Sequence, residues 1–353
     1  MDEASTTQRL ESQVSELVAR LGRLELRVAE LEGRPAAPRA RAASAARAPE
    51  ASGGAALPAG IVALVGRTLL VLAGAYLVRA LTDGRVLPAA PGVVLGLAYA
   101  AVFQLLADRE ARAGREASAV FHDVASSLVA FPLVWEATAR FGLLSPRVAS
   151  AVLLAFFALG VGVAWRRRLR GNAVVTTFLA LATAASLLVS THDLPAAMAA
   201  LLGIGAGVEW LAWRGAWLGL RWAGALVLDA TAVLLVAIAS RPEWPEGYAP
   251  MSVGLAEAAL LAVPALYVAS LAARTLRHGE PVTAFEVVQG TLAVAIGFGG
   301  AMRVLAAHGM PATGPGALAL LLGALCYGAA FAFVERRAGH SATSISTRRR
   351  AAS

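Results

Sequence analysis

Lysine is missing from this sequence. All 31 basic residues are arginine, and we read the bias as compositional. Charge of either sign is scarce: 15% of the 353 residues are charged and 58% are hydrophobic, where a soluble protein carries about 25% and 45–50%. A single cysteine, Cys326, sits in an apolar run, which excludes a disulfide framework or a cysteine-based metal site within one chain. The opening MDEASTTQRLESQ lacks the basic start and apolar core of a secretory signal. No nucleophile–base pair or metal-ligand constellation stands out, so an enzyme is the less favoured class and no cofactor or metal is expected. The formal charge of +8 is spread as loop arginines. It reads as topology information, with no nucleic-acid partner implied.

What the sequence does contain is long apolar runs. One water-soluble core cannot hide so many, whereas a bilayer takes about 20 apolar residues per helix. The pattern predicts an all-α, polytopic helical membrane protein. Ten spans are expected, at 61–81, 88–107, 117–139, 147–165, 172–190, 195–213, 217–239, 251–273, 284–306 and 314–334. The predicted organisation is a coiled coil at 1–32, a linker at 33–58, a bundle at 59–335 and a basic tail at 336–353. Connections within the bundle are too short to hold a soluble catalytic domain.

The N-terminal segment has a heptad seam. Leu10, Leu17, Leu24 and Leu31 fall at d, and Val14, Leu21 and Val28 at a. Leucine at d with β-branched residues at two of the three a positions suits a parallel two-stranded coil. Arg20 and Arg27 at g then face Glu25 and Glu32 at e of the second chain. The segment predicts a homodimer or a partner protein; the competing reading is one amphipathic helix on the protein or membrane surface. Residues 33–58, GRPAAPRARAASAARAPEASGGAALP, have no apolar stripe and read as a flexible linker, its arginines near anionic headgroups.

Arginine placement tests the ten spans. With the N-terminus inside, nineteen arginines of the linker, alternate loops and tail fall on the cytoplasmic side. Only Arg85, Arg140, Arg147 and Arg241 fall outside. This asymmetry predicts both termini in the cytoplasm of a bacterial inner membrane.

The outward turns all carry proline. Two of them share a further spacing: Arg79 precedes Pro91-Gly92, and Arg303 precedes Pro315-Gly316, by twelve residues each. A repeated hairpin unit and chance in an Ala/Leu/Gly/Arg-rich chain both remain open. Arg79 and Arg303 lie near the outer ends of their spans. Each either snorkels to the interface, or the two face one another and hold a phosphate, carboxylate or acidic lipid headgroup.

Carboxylates inside apolar runs are the other candidates. Asp229 is the deepest, in RWAGALVLDATAVLLVAIA. A charged Asp there costs about 2.5–3.5 kcal/mol, so it needs a partner, a proton or an interior position. Both a structural contact and a proton or ion relay fit. Glu257 is expected to join Asp229 in a polar cavity, and Arg67 to snorkel or neutralise one of these acids. Glu209, Glu136 and Glu286, nearer span ends, are weaker candidates. His122-Asp123 and His192-Asp193 read as ordinary hydrogen-bonding groups, because neighbours on a helix do not face one point. Gly160, Gly162, Gly203, Gly205 and Gly207 predict close helix approach. Trp217 and Trp222, beside arginine in RGAWLGLRW, read as interface anchors.

The stretch VGRTLLVLAGAYLVRALTDGRVLPAAPGVVLGLAYA, after a coil ending in ELRVAELE and a Pro/Ala linker, resembles a family of uncharacterised bacterial multi-pass membrane proteins. The likeness is most specific over about residues 60–105. It implies many spans after an N-terminal coil and supplies no catalytic residue. Two functions follow as expectations: an envelope scaffold or assembly protein with membrane lipids and a coil partner, or a transporter of a small solute or lipid-linked substrate.

Overall fold

A computed structural model describes residues 86–213, 219–277 and 279–325 throughout, and individual residues between 66 and 84 and between 327 and 331. Every regular element among the described residues is helical. Eight helices are long and apolar enough to cross a membrane. They are α1 (Ala89–Arg112), α2 (Glu116–Ala139), α3 (Pro146–Arg167), α4 (Arg170–Thr191), α5 (Leu194–Trp213), α6 (Leu220–Ala239), α7 (Val253–Ala272) and α8 (Ala284–Ala307). They coincide with eight of the ten expected spans, from 88–107 to 284–306. Most of the expected first span lies outside the described residues; those described within it are helical. The last span begins as a shorter apolar helix, Thr313–Leu325. The coiled-coil seam, the linker, Arg67, Trp217 and the tail all lie outside the described residues.

Local chemistry sets the helix ends. Ser145 accepts from the Val148 amide and Ser252 from the Leu255 amide, each satisfying one orphan N–H of a first turn. Pro146 occupies the start of α3, where a missing N–H costs nothing. Thr283 and Glu286 form a reciprocal capping box at the start of α8. α7 runs directly into a π-helical turn, Ala273–Arg277.

Short connections make successive helices hairpin neighbours. Alternating direction brings the last turns of α1, α3, α5 and α7 and the first turns of α2, α4, α6 and α8 to one arginine-rich end, and their other ends to the opposite side. α5 is central: it packs on α3, α4, α6 and α7, and 61% of its apolar window is buried, against 28% for α1. Leu154 and Phe157 of α3 lie within 2.6 Å of where a Cβ on Gly203 or Gly207 would stand. These glycines allow the approach the sequence predicts. Gly162 differs, since only its own helix lies near it.

The packing is that of a multi-pass membrane protein. Large apolar side chains point outwards, among them Leu105, Val189 and Leu226, each more than 70% exposed. Polar groups are instead collected inside. That inversion suits a hydrocarbon surround, where a buried polar group must find its partners within the protein.

Candidate functional site

Four charged side chains meet near the arginine-rich end of α5, α6, α7 and α8. Glu209 sits one turn before the end of α5, Arg221 at the second position of α6, Arg274 in the π-turn and Glu286 in the first turn of α8. All four are at most 5% exposed. Arg221 donates from Nε to Glu209 Oε1 at 2.9 Å and approaches Oε2 at 2.8 Å through Nη2. Its Nη1 reaches Glu286 Oε1 at 3.1 Å. Arg274 pairs with the same Glu286 oxygen. The guanidinium of Arg221 stacks over Phe285, 4.2 Å from the ring centre. Ser270 donates to Glu209 and accepts from Trp213 Nε1 at 3.0 Å. Two arginines and two glutamates sum to zero, so this cluster is an electrically closed lock across four helices.

A second cluster lies between α1, α2 and α4. Asp123 is fully buried. Gln104 Nε2 donates to its Oδ1 at 2.5 Å and Thr176 Oγ1 to its Oδ2 at 3.3 Å. Ser127 and Thr176 hydroxyls are 3.3 Å apart. One turn before Thr176, Asn172 is also fully buried, and neither its amide oxygen nor its nitrogen has a protein partner among the described residues. The Thr177 hydroxyl is in the same position. Gly160 of α3 closes the group: a Cβ there would stand 2.8 Å from Thr176 and 3.5 Å from Asp123 Oδ1. Hence α3 comes close to the carboxylate at a residue without a side chain. No cationic side chain pairs with Asp123 among the described residues.

Asp229 sits midway along α6, 8% exposed. Its partner is Gln289 of α8, whose Nε2 lies 3.0 and 2.9 Å from the two carboxylate oxygens. Glu257 does not join it. α7 starts at the opposite end, so Glu257 stands one turn inside that end while Asp229 is at mid-depth. Glu257 is half-buried and faces Gly314, at the start of the short last helix.

The two outer-rim arginines are also apart. Arg79 Nη2 lies 2.8 Å from Glu136 Oε1, and its Nε is 3.7 Å from Asp83. Arg303 is exposed on α8, which packs on α7 and α6. A shared anion site between Arg79 and Arg303 therefore does not form, because their helices belong to opposite flanks of the bundle.

The histidine–aspartate pairs diverge as helical neighbours must. His122 lies between the rings of Phe103 and Phe121, while Asp123 turns to Gln104. His192 ends α4 in a left-handed conformation against Tyr248, and Asp193 caps α5 by accepting from the Ala196 amide at 2.9 Å.

The sequence marks Asp229 as the deepest carboxylate but does not show that these four charges meet. Arg221 read as an interface anchor, Arg274 as a loop residue, and Glu209 and Glu286 as span-end acids. The available signal is depth: each lies within about two turns of the same end, two acids and two arginines over four consecutive spans. No known protein family matches the chain, and neither does any curated protein or solved structure.

Proposed function

We propose that this chain is a membrane transporter for a small solute or lipid-linked substrate, in which Asp123 takes up and releases a proton or monovalent cation. One contrast carries the reading. Four carboxylates are buried within the spans among the described residues: Asp123, Glu209, Asp229 and Glu286. Glu209 and Glu286 are matched by arginine. Asp123 and Asp229 receive only neutral donors. A carboxylate held in an apolar bundle by neutral groups must carry a proton or attract a cation, and such residues mark ion and proton routes. Asn172, Thr176 and Ser127 add oxygen atoms of the kind a proton or small cation uses. Access is short: Asp108 stands one turn from Gln104 on α1, about 6 Å along the axis, and reaches the arginine-rich end through its ion pair with Arg167.

The test is ion flux into liposomes containing the full chain, read with an entrapped pH-sensitive or sodium-sensitive dye. Flux above protein-free vesicles is expected, with Asp123→Asn reducing it at least about tenfold while the protein remains monodisperse. Flux that is absent, or unchanged by Asp123→Asn, overturns the reading.

An envelope scaffold is the second reading, and the neutral lock favours it: a network that spends its charges on joining four helices serves rigidity. In that reading residues 1–32 pair two copies, in a ten-span protein of the bacterial inner membrane with both ends cytoplasmic; the likeness of residues 60–105 implies only an N-terminal coil followed by many spans. Native mass spectrometry of the same preparation with and without residues 1–32 separates the two. Absent flux with a dimer lost on truncation supports the scaffold; a monomer in both forms removes its assembly device.

A further inference from the structure

A cleft of about 240 Å³ opens between the described part of the first apolar segment, α1 and α2, on the flank away from the four-charge lock. Its walls are apolar. Gly92 and Gly96 of α1 line one side, packed closely against Thr82 and Leu133, and Leu128, Val129, Pro132 and Leu133 of α2 line the other. Leu128 is 45% exposed and Tyr76, at the edge, 63%, so the cleft faces the bundle's surroundings. In a membrane-spanning protein those surroundings are acyl chains.

The mouth is charged, and its pattern identifies the headgroup. Glu136 and Arg79 line the cleft, and with Asp83 and Arg140 beyond them they form a row of alternating sign at the end of the bundle opposite the arginine-rich one. The successive separations are 2.8, 3.7 and 3.3 Å. Arg79, Asp83 and Arg140 are 40–49% exposed. Glu136 is largely shielded, at 14% exposed, but pairs among the exposed Arg79, Asp83 and Arg140 add little to stability, so a headgroup can compete for them. The row sums to zero. A purely anionic headgroup placed on the arginines meets Glu136 and Asp83 as well. A zwitterion satisfies both signs: phosphate to Arg79 and Arg140, ammonium to Glu136 and Asp83.

We infer that this cleft binds one zwitterionic phospholipid, with an acyl chain against α1 and α2 and its headgroup across the Arg79–Glu136–Asp83–Arg140 row. The site is separate from Asp123 and does not depend on the transport reading. It also replaces the anion contact expected for Arg79 with a contact of both signs.

The test is native mass spectrometry of the delipidated full chain titrated with phosphatidylethanolamine, phosphatidylcholine or phosphatidylglycerol in mixed micelles. A single retained adduct is expected for either zwitterionic lipid, with phosphatidylglycerol about tenfold weaker. Leu128→Trp fills the cleft from its exposed side and is expected to abolish the adduct. The double variant Asp83→Asn, Glu136→Gln removes the negative half of the row and is expected to shift preference towards phosphatidylglycerol. Phosphatidylglycerol binding as well as the zwitterions in the wild type, an adduct surviving Leu128→Trp, or interchangeable lipids with none retained would each overturn the inference.

Discussion

At the scale of single residues, the informative contrast is between charges that are matched and charges that are not. Arg221 serves two glutamates at once while stacking on Phe285. Removing one partner of a buried ion pair strands the other, which costs about 3–5 kcal/mol. Arg221→Met is therefore expected to lose about that much stability by thermal denaturation in detergent. Adding Glu209→Gln is expected to restore part of it, because one stranded charge is gone. A single variant as stable as wild type would mean that the carboxylates are solvated or neutral without Arg221. Sequence made Asp229 visible because a lone carboxylate interrupts an otherwise apolar or small run from Trp222 to Ala239. Asp123 was harder to see, lying beside His122 near the start of its span. Arg221 and Arg274 were harder still. A sequence gives depth along a helix, but which neighbour a side chain faces depends on rotation about the axis, and that is fixed only by packing.

At the scale of elements, the eight described spans were legible almost to their ends. The turns between them carry proline, glycine or arginine, and the bilayer sets their length. Helix-to-helix distance was partly legible, through small residues at spaced positions. The α7–α8 contact shows what was not. Pro264 lies inside α7 and Gly297 faces it; a Cβ on Gly297 would come 2.5 Å from Pro264 Cδ and 2.7 Å from the backbone oxygen of Leu260. A flexible side chain can step aside, but a proline ring and a carbonyl cannot. Gly297→Val is thus expected to destabilise by about 1–3 kcal/mol, the usual range for overpacking. Gly299→Val on the same helix, with open space around it, serves as the control in the same melting experiment. Equal melting temperatures for the two variants would refute the close contact. The π-turn after α7 left no mark in the sequence, since its wider hydrogen-bond register has no residue pattern of its own; its consequence is that Arg274, a loop residue by spacing, is buried beside Glu286.

At the scale of the whole molecule, arginine placement and hairpin connectivity make one claim between them. Arg109, Arg112, Arg115, Arg166, Arg167 and Arg168 flank connections at the same end of the bundle. Part of this charge is neutralised locally: Asp108 pairs with Arg112 and Arg167, and Glu110 with Arg115 at 2.6 Å. Orientation responds to the arginines themselves more than to net charge, since acidic residues contribute little to it. The arginine-rich end is therefore expected in the cytoplasm despite these pairs. Replacing Cys326 by alanine leaves a chain without thiols, into which single cysteines can be placed at Ala113, in the α1–α2 turn, and at Leu143, in the α2–α3 turn. An impermeant maleimide applied to intact cells should label Leu143→Cys and spare Ala113→Cys until the membrane is opened. The reverse pattern would invert the bundle and move the Arg79–Glu136 row to the cytoplasmic leaflet. Labelling of both from outside would be more damaging, because α2 would then not cross the membrane, and the burial of Asp123 within it would lose its meaning as an intramembrane charge.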